Sequence, residues 1–298
     1  MLALVGFLTI GTFLFLIMTK RMSVIIALVL VPIVFGLISG FGAELGPMML
    51  EGIQKVAPTG IMVAFAVLYF GLMMDAGLFD PIISRMIRIV KGDPLKIVIG
   101  TAIVTMLVAL DGDGASTFMI TITAFLPLYK RLNISPLVLS GVVALGAGVM
   151  NIAPWGGPTA RAMSMLNTDS AHLFNPVLPA MIGGILWVLF SAYWLGKKER
   201  ARLGISDTKG NYEDFMSEHA ATIEGRKPQL FWFNLMLTIV LLVALVMAWL
   251  PMPVLFIVAF VIALLVNYPK LEEQQERLSS HASSVVMVST MIFAAGIF

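Results

Sequence analysis

Residues 110–118 read LDGDGASTF and interrupt a stretch that otherwise carries no charge. Upstream, IVIGTAIVTMLVAL occupies 97–110; downstream, TFMITITAFLPLY occupies 117–129. Basic residues close both sides, with Lys91 and Lys96 before and Lys130 and Arg131 after. Lysines and arginines flanking apolar segments mark the cytoplasmic face, so both ends of 97–129 belong on that face. Each arm is about 20 Å long as a helix, short of the ~30 Å hydrocarbon core. Gly112 and Gly114 permit a tight reversal between the arms. A re-entrant helical hairpin entering from the cytoplasm is therefore expected over 97–129, with Asp111 and Asp113 at its tip. The competing reading has two short tilted spans with the aspartates in an external loop.

The rest of the chain supplies the membrane. Hydrophobic residues make up 59% of the 298 positions and charged residues 12%, with a mean hydropathy of +0.97. A soluble domain carries about 25% charge, so the chain reads as an all-α polytopic membrane protein. The absence of cysteine excludes disulfides, thiolate metal sites and cysteine nucleophiles. The 21 methionines read as packing filler. Full spans are expected at 2–18, 23–38, 56–74, 176–196, 230–250, 254–266 and from 284 onward. The first run has no basic residue before it and Lys20–Arg21 after it. That polarity is the reverse of a signal peptide, so 2–18 is read as a true first span with the N-terminus outside. Residues 78–91, LFDPIISRMIRIVK, set Ile82, Ile83, Met86, Ile87 and Val90 against Ser84, Arg85, Arg88 and Lys91. This pattern predicts an amphipathic helix in the interface plane. Residues 197–229, which begin KKERAR, read as a solvated cytoplasmic loop.

A second irregularity falls at 151–166, NIAPWGGPTARAMSML. The apolar run 136–150 is helical in pattern, but Asn151, Pro154, Gly156, Gly157 and Pro158 cannot continue it. Pro158 suits the first turn of a new helix. A broken helix over 136–166 is expected, with its second half starting near Thr159. Irregular backbone at membrane depth is tolerated only where it is buried in protein or lines a cavity, and such breaks form the binding sites of secondary transporters.

The order span, span, span, hairpin, broken span, span fills 1–196, five crossings in all. Residues 230–298 begin the same order again, with Phe70–Gly71 and Phe293–Ala294 at comparable places in the two third spans. An odd number of crossings inverts the second set, so the chain reads as an inverted repeat whose second copy is incomplete. It is expected to be a fragment of a protein of about 430 residues, by doubling the repeat.

The polar residues at the two irregularities carry the chemistry. A carboxylate at mid-membrane costs about 2.5–3.5 kcal/mol on insertion scales, and Asp111 and Asp113 double that before their repulsion. They call for a divalent metal held by hard oxygen ligands or a shared proton; as a wet hairpin cap they would carry neither. Ser116 or Thr117 can bond the free amides of the following helix. On the broken helix, Gly156 and Gly157 let backbone amides approach a ligand, and the second half-helix presents a positive N-terminus. Thr159 and Arg161 lie in its first turn and offer a hydroxyl and a guanidinium to a carboxylate, while Asn151 offers an amide from the opposite half-helix end. Trp155 is expected to wall the cavity or anchor at the interface. His172, His219 and His281 are expected in loops or at membrane edges, solvated.

Three stretches, LIMTKRMSVIIALVLVPIVFGLISG, LDGDGASTF and NIAPWGGPTARA, together resemble the citrate–metal:proton symporter family of the ion transporter superfamily, and the resemblance covers essentially the whole chain. It implies an elevator-type carrier, expected to be a homodimer in the bacterial plasma membrane, that takes up citrate complexed with a divalent cation and coupled to protons. Asn151, Gly156, Gly157, Thr159, Arg161, Ser116 and Thr117 would then bind substrate, with Asp111 and Asp113 in metal or proton coupling. The divalent cation (Mg2+ or Ca2+) would be a co-substrate, with no permanently bound cofactor and no nucleic-acid partner. The alternative within the superfamily is a carrier of another small carboxylate or inorganic anion. An intramembrane aspartyl protease needs two aspartates on separate helices, and Asp75 is the sole distant partner here; no enzyme is expected.

Overall fold

The computed structural model describes residues 2–90, 92–111, 114–166, 168, 170–204, 230–247 and 249–298. Twelve α-helices and one short 3-10 turn account for the regular structure of these residues, with no strand among them. They are α1 Leu2–Met18, α2 Val24–Ile38, α3 Leu45–Asp75, α4 Asp80–Val90, α5 Pro94–Val108, the 3-10 turn Ala109–Asp111 and α6 Gly114–Arg131. There follow α7 Pro136–Met150, α8 Gly157–Leu166, α9 Ser170–Leu203, α10 Phe231–Val246, α11 Met252–Asn267 and α12 Leu271–Ile297.

Three helices, α3, α9 and α12, are long and apolar enough to cross a membrane, and α1, α2, α5, α7, α10 and α11 are shorter apolar helices. Large apolar side chains stand exposed along α1, α9 and α10, among them Phe7, Leu186, Trp187, Phe190 and Trp232. A water-soluble monomer does not present apolar surface on this scale; a lipid-facing one must. The chain is a polytopic helical membrane protein.

Local chemistry sets the helix starts. Ser23 Oγ accepts the Ile26 amide at the head of α2. Asp93 Oδ1 accepts the Leu95 amide at 3.1 Å, with Pro94 in the first turn of α5 where its missing N–H costs nothing. Several elements extend beyond the expected spans. α3 starts at Leu45, because Glu51 and Lys55 sit on its solvated first turns as an i,i+4 ion pair. α12 starts at Leu271, ahead of its apolar part. α9 continues to Leu203, so Lys197–Arg202 is helical where a loop was expected. The reason is visible in its partners: Glu199 and Arg202 are bonded to the rest of the protein and to each other.

α5 and α6 run antiparallel, with Thr101 Oγ1 and Tyr129 Oη 3.1 Å apart between them. Both feet of this pair are tied to one turn of α9. At the first foot Arg200 lies 3.6 Å from Asp93. At the second, Glu199 accepts the Ser135 amide at 3.2 Å and Arg202 donates to the Asn133 carbonyl at 2.7 Å. Residues 94–131 thus leave and return at the same end of the molecule, the geometry of a hairpin. α4 lies against α5 through Met86, whose Cε would stand 3.0 Å from a Cβ at Gly100.

Two apolar cores result. One joins α5, α6, α7 and α9 through residues such as Val98, Phe125, Leu139, Val143 and Val188. The other joins α3, α10, α11 and α12 through Tyr69, Phe70, Phe256, Phe260 and Ile292. In the second core, Tyr69 Oη meets Thr238 Oγ1 at 2.9 Å, and Asn234 and Asn267 exchange two amide bonds of 2.8 Å. α3 and α12 cross antiparallel: Gly52 faces Gly296, Gly60 faces Phe293 and Gly71 faces His281. A Cβ on Gly52 would stand 1.9 Å from the Gly296 carbonyl oxygen. Small residues let these backbones meet, the usual device where lipid supplies no hydrophobic drive between helices.

Candidate functional site

The hairpin tip and the helix break come together. After Met150 the chain leaves α7 through a chain of short turns. The Asn151 amide donates to Ala147 O, Ile152 to Val149 O, Ala153 to Met150 O and Gly156 to Ala153 O, at 2.8–3.2 Å. α8 then begins at Gly157, two residues before the expected start, with Pro158 inside its first turn. Thr159 Oγ1 donates back to the Ile152 carbonyl at 2.7 Å, which holds the break closed from the α8 side.

Gly156 has a different job from the one expected. Its amide is already bonded to Ala153 O, and a Cβ there would stand 2.1 Å from the Asn151 carbonyl oxygen. The close approach is to the chain's own backbone, so Gly156 makes the break possible. At Gly157 a Cβ would meet nothing within 4 Å.

Trp155 links the break to the hairpin. Its indole Nε1–H donates to the Leu110 carbonyl, in the 3-10 turn at the tip, at 2.7 Å. Its ring is buried between Phe70 of α3, at a centroid distance of 6.2 Å, and Phe256 of α11, at 5.7 Å. The side chain is therefore buried protein–protein contact, with a polar bond that sequence could not place.

Between tip and break lies a cavity of about 220 Å³ lined by Ala109, Gly114, Thr117, Phe118, Ala144, Ala147, Gly148 and Asn151. Two of the expected binding residues, Thr117 and Asn151, face it. Its walls are otherwise apolar or backbone, so these two and the tip set its polarity. Asp111 ends the 3-10 turn that starts at Ala109, a residue of the cavity wall. Asp113 lies outside the described residues, as do the side chains of Asp111, Ser116 and Arg161. Among the described residues no group of three or more His, Asp or Glu is placed to hold a metal ion.

Sequence reading missed one cluster altogether. His281 lies within α12 and not in a loop, and its Nε2 is 3.0 Å from Asp75 Oδ2 of α3. Arg277 Nη1 donates to the same oxygen at 3.2 Å. Asp75 is thus engaged in an interhelical ion pair with Arg277. The signal was the i,i+4 spacing of Arg277 and His281 on what read as a solvated approach to the last span. His172 is exposed on α9, and His219 lies outside the described residues.

A helical membrane protein with a hairpin tip docked on a helix break beside a half-open cavity has the features of a transporter. Comparison with known proteins makes the class specific. The family model described as "Citrate transporter" matches residues 13–298. The "Citrate transporter" of Bacillus subtilis (strain 168) is 56% identical over 298 residues, covering 100% of this chain and 69% of that protein. The "Mg(2+)/citrate complex secondary transporter" of the same organism is 54% identical over 301 residues, with the same coverage of both. An "Uncharacterized transporter YraO", also from that organism, is 46% identical over 308 residues, covering 100% of this chain and 70% of its own length. No solved structure matches. The chain belongs to the citrate transporter family, whose members are carriers and not enzymes.

Proposed function

We propose that this carrier takes up citrate as a complex with a divalent cation, Mg2+ or Ca2+, by proton symport across the bacterial plasma membrane. The observation that carries the reading is the Trp155–Leu110 bond, which sets the hairpin tip against the helix break with Thr117 and Asn151 on one cavity. Asp111 and Asp113 at the tip take the metal or the proton. Asn151, Thr117, Ser116, the Gly157 amide and Arg161 receive citrate carboxylates at the positive end of α8, and Thr159, whose hydroxyl donates to the Ile152 carbonyl, supports them by holding the break. Gly156 supports them by keeping the break tight. The name of the relative that carries an Mg2+/citrate complex supports a metal-bound substrate.

In this reading 1–196 is the first inverted repeat, 197–229 a cytoplasmic connection and 230–298 the start of the second. The N-terminus is outside, and two chains form a homodimer. The antiparallel crossing of α3 and α12 is what two third spans related by an in-plane two-fold axis would make. The hairpin with α7 and α9 forms one apolar core, while the break and α8 pack with α3 and α11 in the other; an elevator movement in this reading would have to carry the Trp155 contact with it or break it.

The test is uptake into proteoliposomes under an inward proton gradient, with labelled citrate, Mg2+, Ca2+ or Ni2+, and a panel of di- and tricarboxylates as competitors. Saturable citrate uptake that needs a divalent cation and collapses with the gradient is expected. Metal-independent uptake, or better competition by an inorganic anion than by citrate, would move the assignment to another solute of the superfamily.

A further inference from the structure

One hydroxyl inside the hairpin has nothing to bond. Thr121 of α6 is fully buried, at 0% exposure, and its Oγ1 has no hydrogen-bond partner among the described residues. Threonine within a helix can donate to the carbonyl one turn back. Its neighbours do so: Thr101, Thr105 and Thr123 donate to Ile97 O, Thr101 O and Met119 O at 2.7–2.8 Å. Thr121 forgoes that bond. A buried hydroxyl without a partner costs stability, whereas valine has nearly the same shape and none of that cost.

The position on α6 fixes the direction of the side chain. Gly114, Thr117 and Phe118 line the cavity, and 121 continues their stripe, seven, four and three residues on. A helical side chain leans toward the N-terminus of its helix, which for α6 is the hairpin tip. Thr121 therefore leans toward Thr117 and the cavity, from one turn, about 6 Å, below. The facing arm agrees. Thr101 and Tyr129 lie 3.1 Å apart, and counting eight residues along each arm from that pair brings Thr121 level with Ala109, a residue of the cavity wall. Further from the tip the buried side of α6 turns to Phe125 and Leu128, in the apolar core.

We propose that Thr121 is a further cargo-binding residue at the floor of the cavity, its hydroxyl donating to a carboxylate oxygen of the transported anion. Thr117 and Asn151 are the polar side chains of a wall otherwise built from alanine, glycine and Phe118. A multiply charged carboxylate gives up its water on entering such a space and needs donors in exchange; an uncommitted hydroxyl at the floor supplies one. In this conformation Oγ1 is closed off from the cavity, so the bond forms as the cargo settles and the floor yields. The proposal rests on the reading of this cavity as the citrate site.

The test compares Thr121→Val, which removes the hydroxyl at constant shape, with Thr121→Ser, which keeps it. The thermal unfolding midpoint of the purified full chain in detergent is measured with and without citrate plus Mg2+, and KM is measured in proteoliposomes. Without citrate, Thr121→Val should unfold at the wild-type midpoint or up to about 2 °C above it. It should lose most of the rise that citrate and Mg2+ give the wild type, and its KM should increase about tenfold with little change in maximal rate. Thr121→Ser should keep both the rise and the KM. Thr123→Val, at an exposed threonine bonded to Met119 O, should bind citrate as wild type does. A Thr121→Val protein that citrate and Mg2+ stabilise as fully as wild type would overturn the role of Thr121 and leave the cavity reading standing. One that unfolds well below wild type without citrate, or does not fold, would show the hydroxyl bonded within the protein and overturn the proposal as well. A wild type that citrate and Mg2+ do not stabilise would refute the cavity reading, and the proposal with it.

Discussion

The indole of Trp155 donates to the carbonyl of Leu110 at 2.7 Å, and this one bond joins the break between α7 and α8 to the tip of the α5–α6 hairpin. Two irregular segments that would each expose backbone to lipid thereby cover one another, and the cavity lies between them. Trp155→Phe keeps the ring between Phe70 and Phe256 but leaves the Leu110 carbonyl without its donor, a loss of about 1–3 kcal/mol. Trp155→Ala also empties the aromatic cluster, at about 3–5 kcal/mol. Thermal unfolding should rank wild type, Phe and Ala in that order, and citrate uptake by the Phe variant should fall through a raised KM. Equal midpoints for Phe and wild type would remove the bond from the account.

The hairpin can be tested on a chain that has no cysteine of its own. Single cysteines near Lys96 and Lys130 should react with an impermeant thiol reagent from the same membrane face, because both feet are tied to one turn of α9. Reaction from opposite faces would make α5 and α6 two crossing spans.

Asp111→Asn and Asp113→Asn should each lower metal-dependent citrate uptake by at least tenfold at normal membrane expression. Loss of a charged oxygen ligand from a hard-cation site has that scale, about 1.4 kcal/mol or more. Full uptake in both variants would reduce the pair to a solvated cap.

The α3–α12 crossing gives a contrast between two glycines. Gly52→Ala puts a methyl 1.9 Å from backbone oxygen that no rotamer change can move, so the helices must part, at about 1–3 kcal/mol or more. Gly46→Ala, in the first turn of the same helix, meets nothing within 4 Å. Size-exclusion profiles should show reduced folded yield for the first and an unchanged peak for the second.

Much of this organisation was legible in the sequence, and for identifiable reasons. Basic residues on both sides of 97–129 predicted that its two ends lie together, as they do against one turn of α9, and Pro154, Gly156 and Pro158 marked where a helix must stop. Both signals are local: the first depends on side-chain charge beside an apolar segment, the second on what a backbone can do at proline and glycine. Contacts between distant segments were not legible. Nothing in NIAPWGGP says that its indole will reach Leu110, or that Gly156 is needed for Asn151 more than for a ligand. The KKERAR run read as loop because its charges looked solvated, whereas Glu199 is buried under the turn at Ser135. His281 looked solvated for the same reason: its partner Asp75 lies on another helix, and Gly71, which makes room for its ring, reads in sequence as one more small residue of a span.

The most direct measurement concerns the cavity itself. Gly148 lines it, and a Cβ at that position meets nothing within 4 Å, so Gly148→Cys places a thiol at the site without displacing a wall. Its rate of reaction with a small maleimide is measured in membranes with and without citrate plus Mg2+, beside a control cysteine at the exposed Glu272. Slowing at 148 by citrate and Mg2+ together, with no change at 272, is the expected result. A rate at 148 that citrate and Mg2+ leave unchanged would contradict the assignment of this cavity as the transport site.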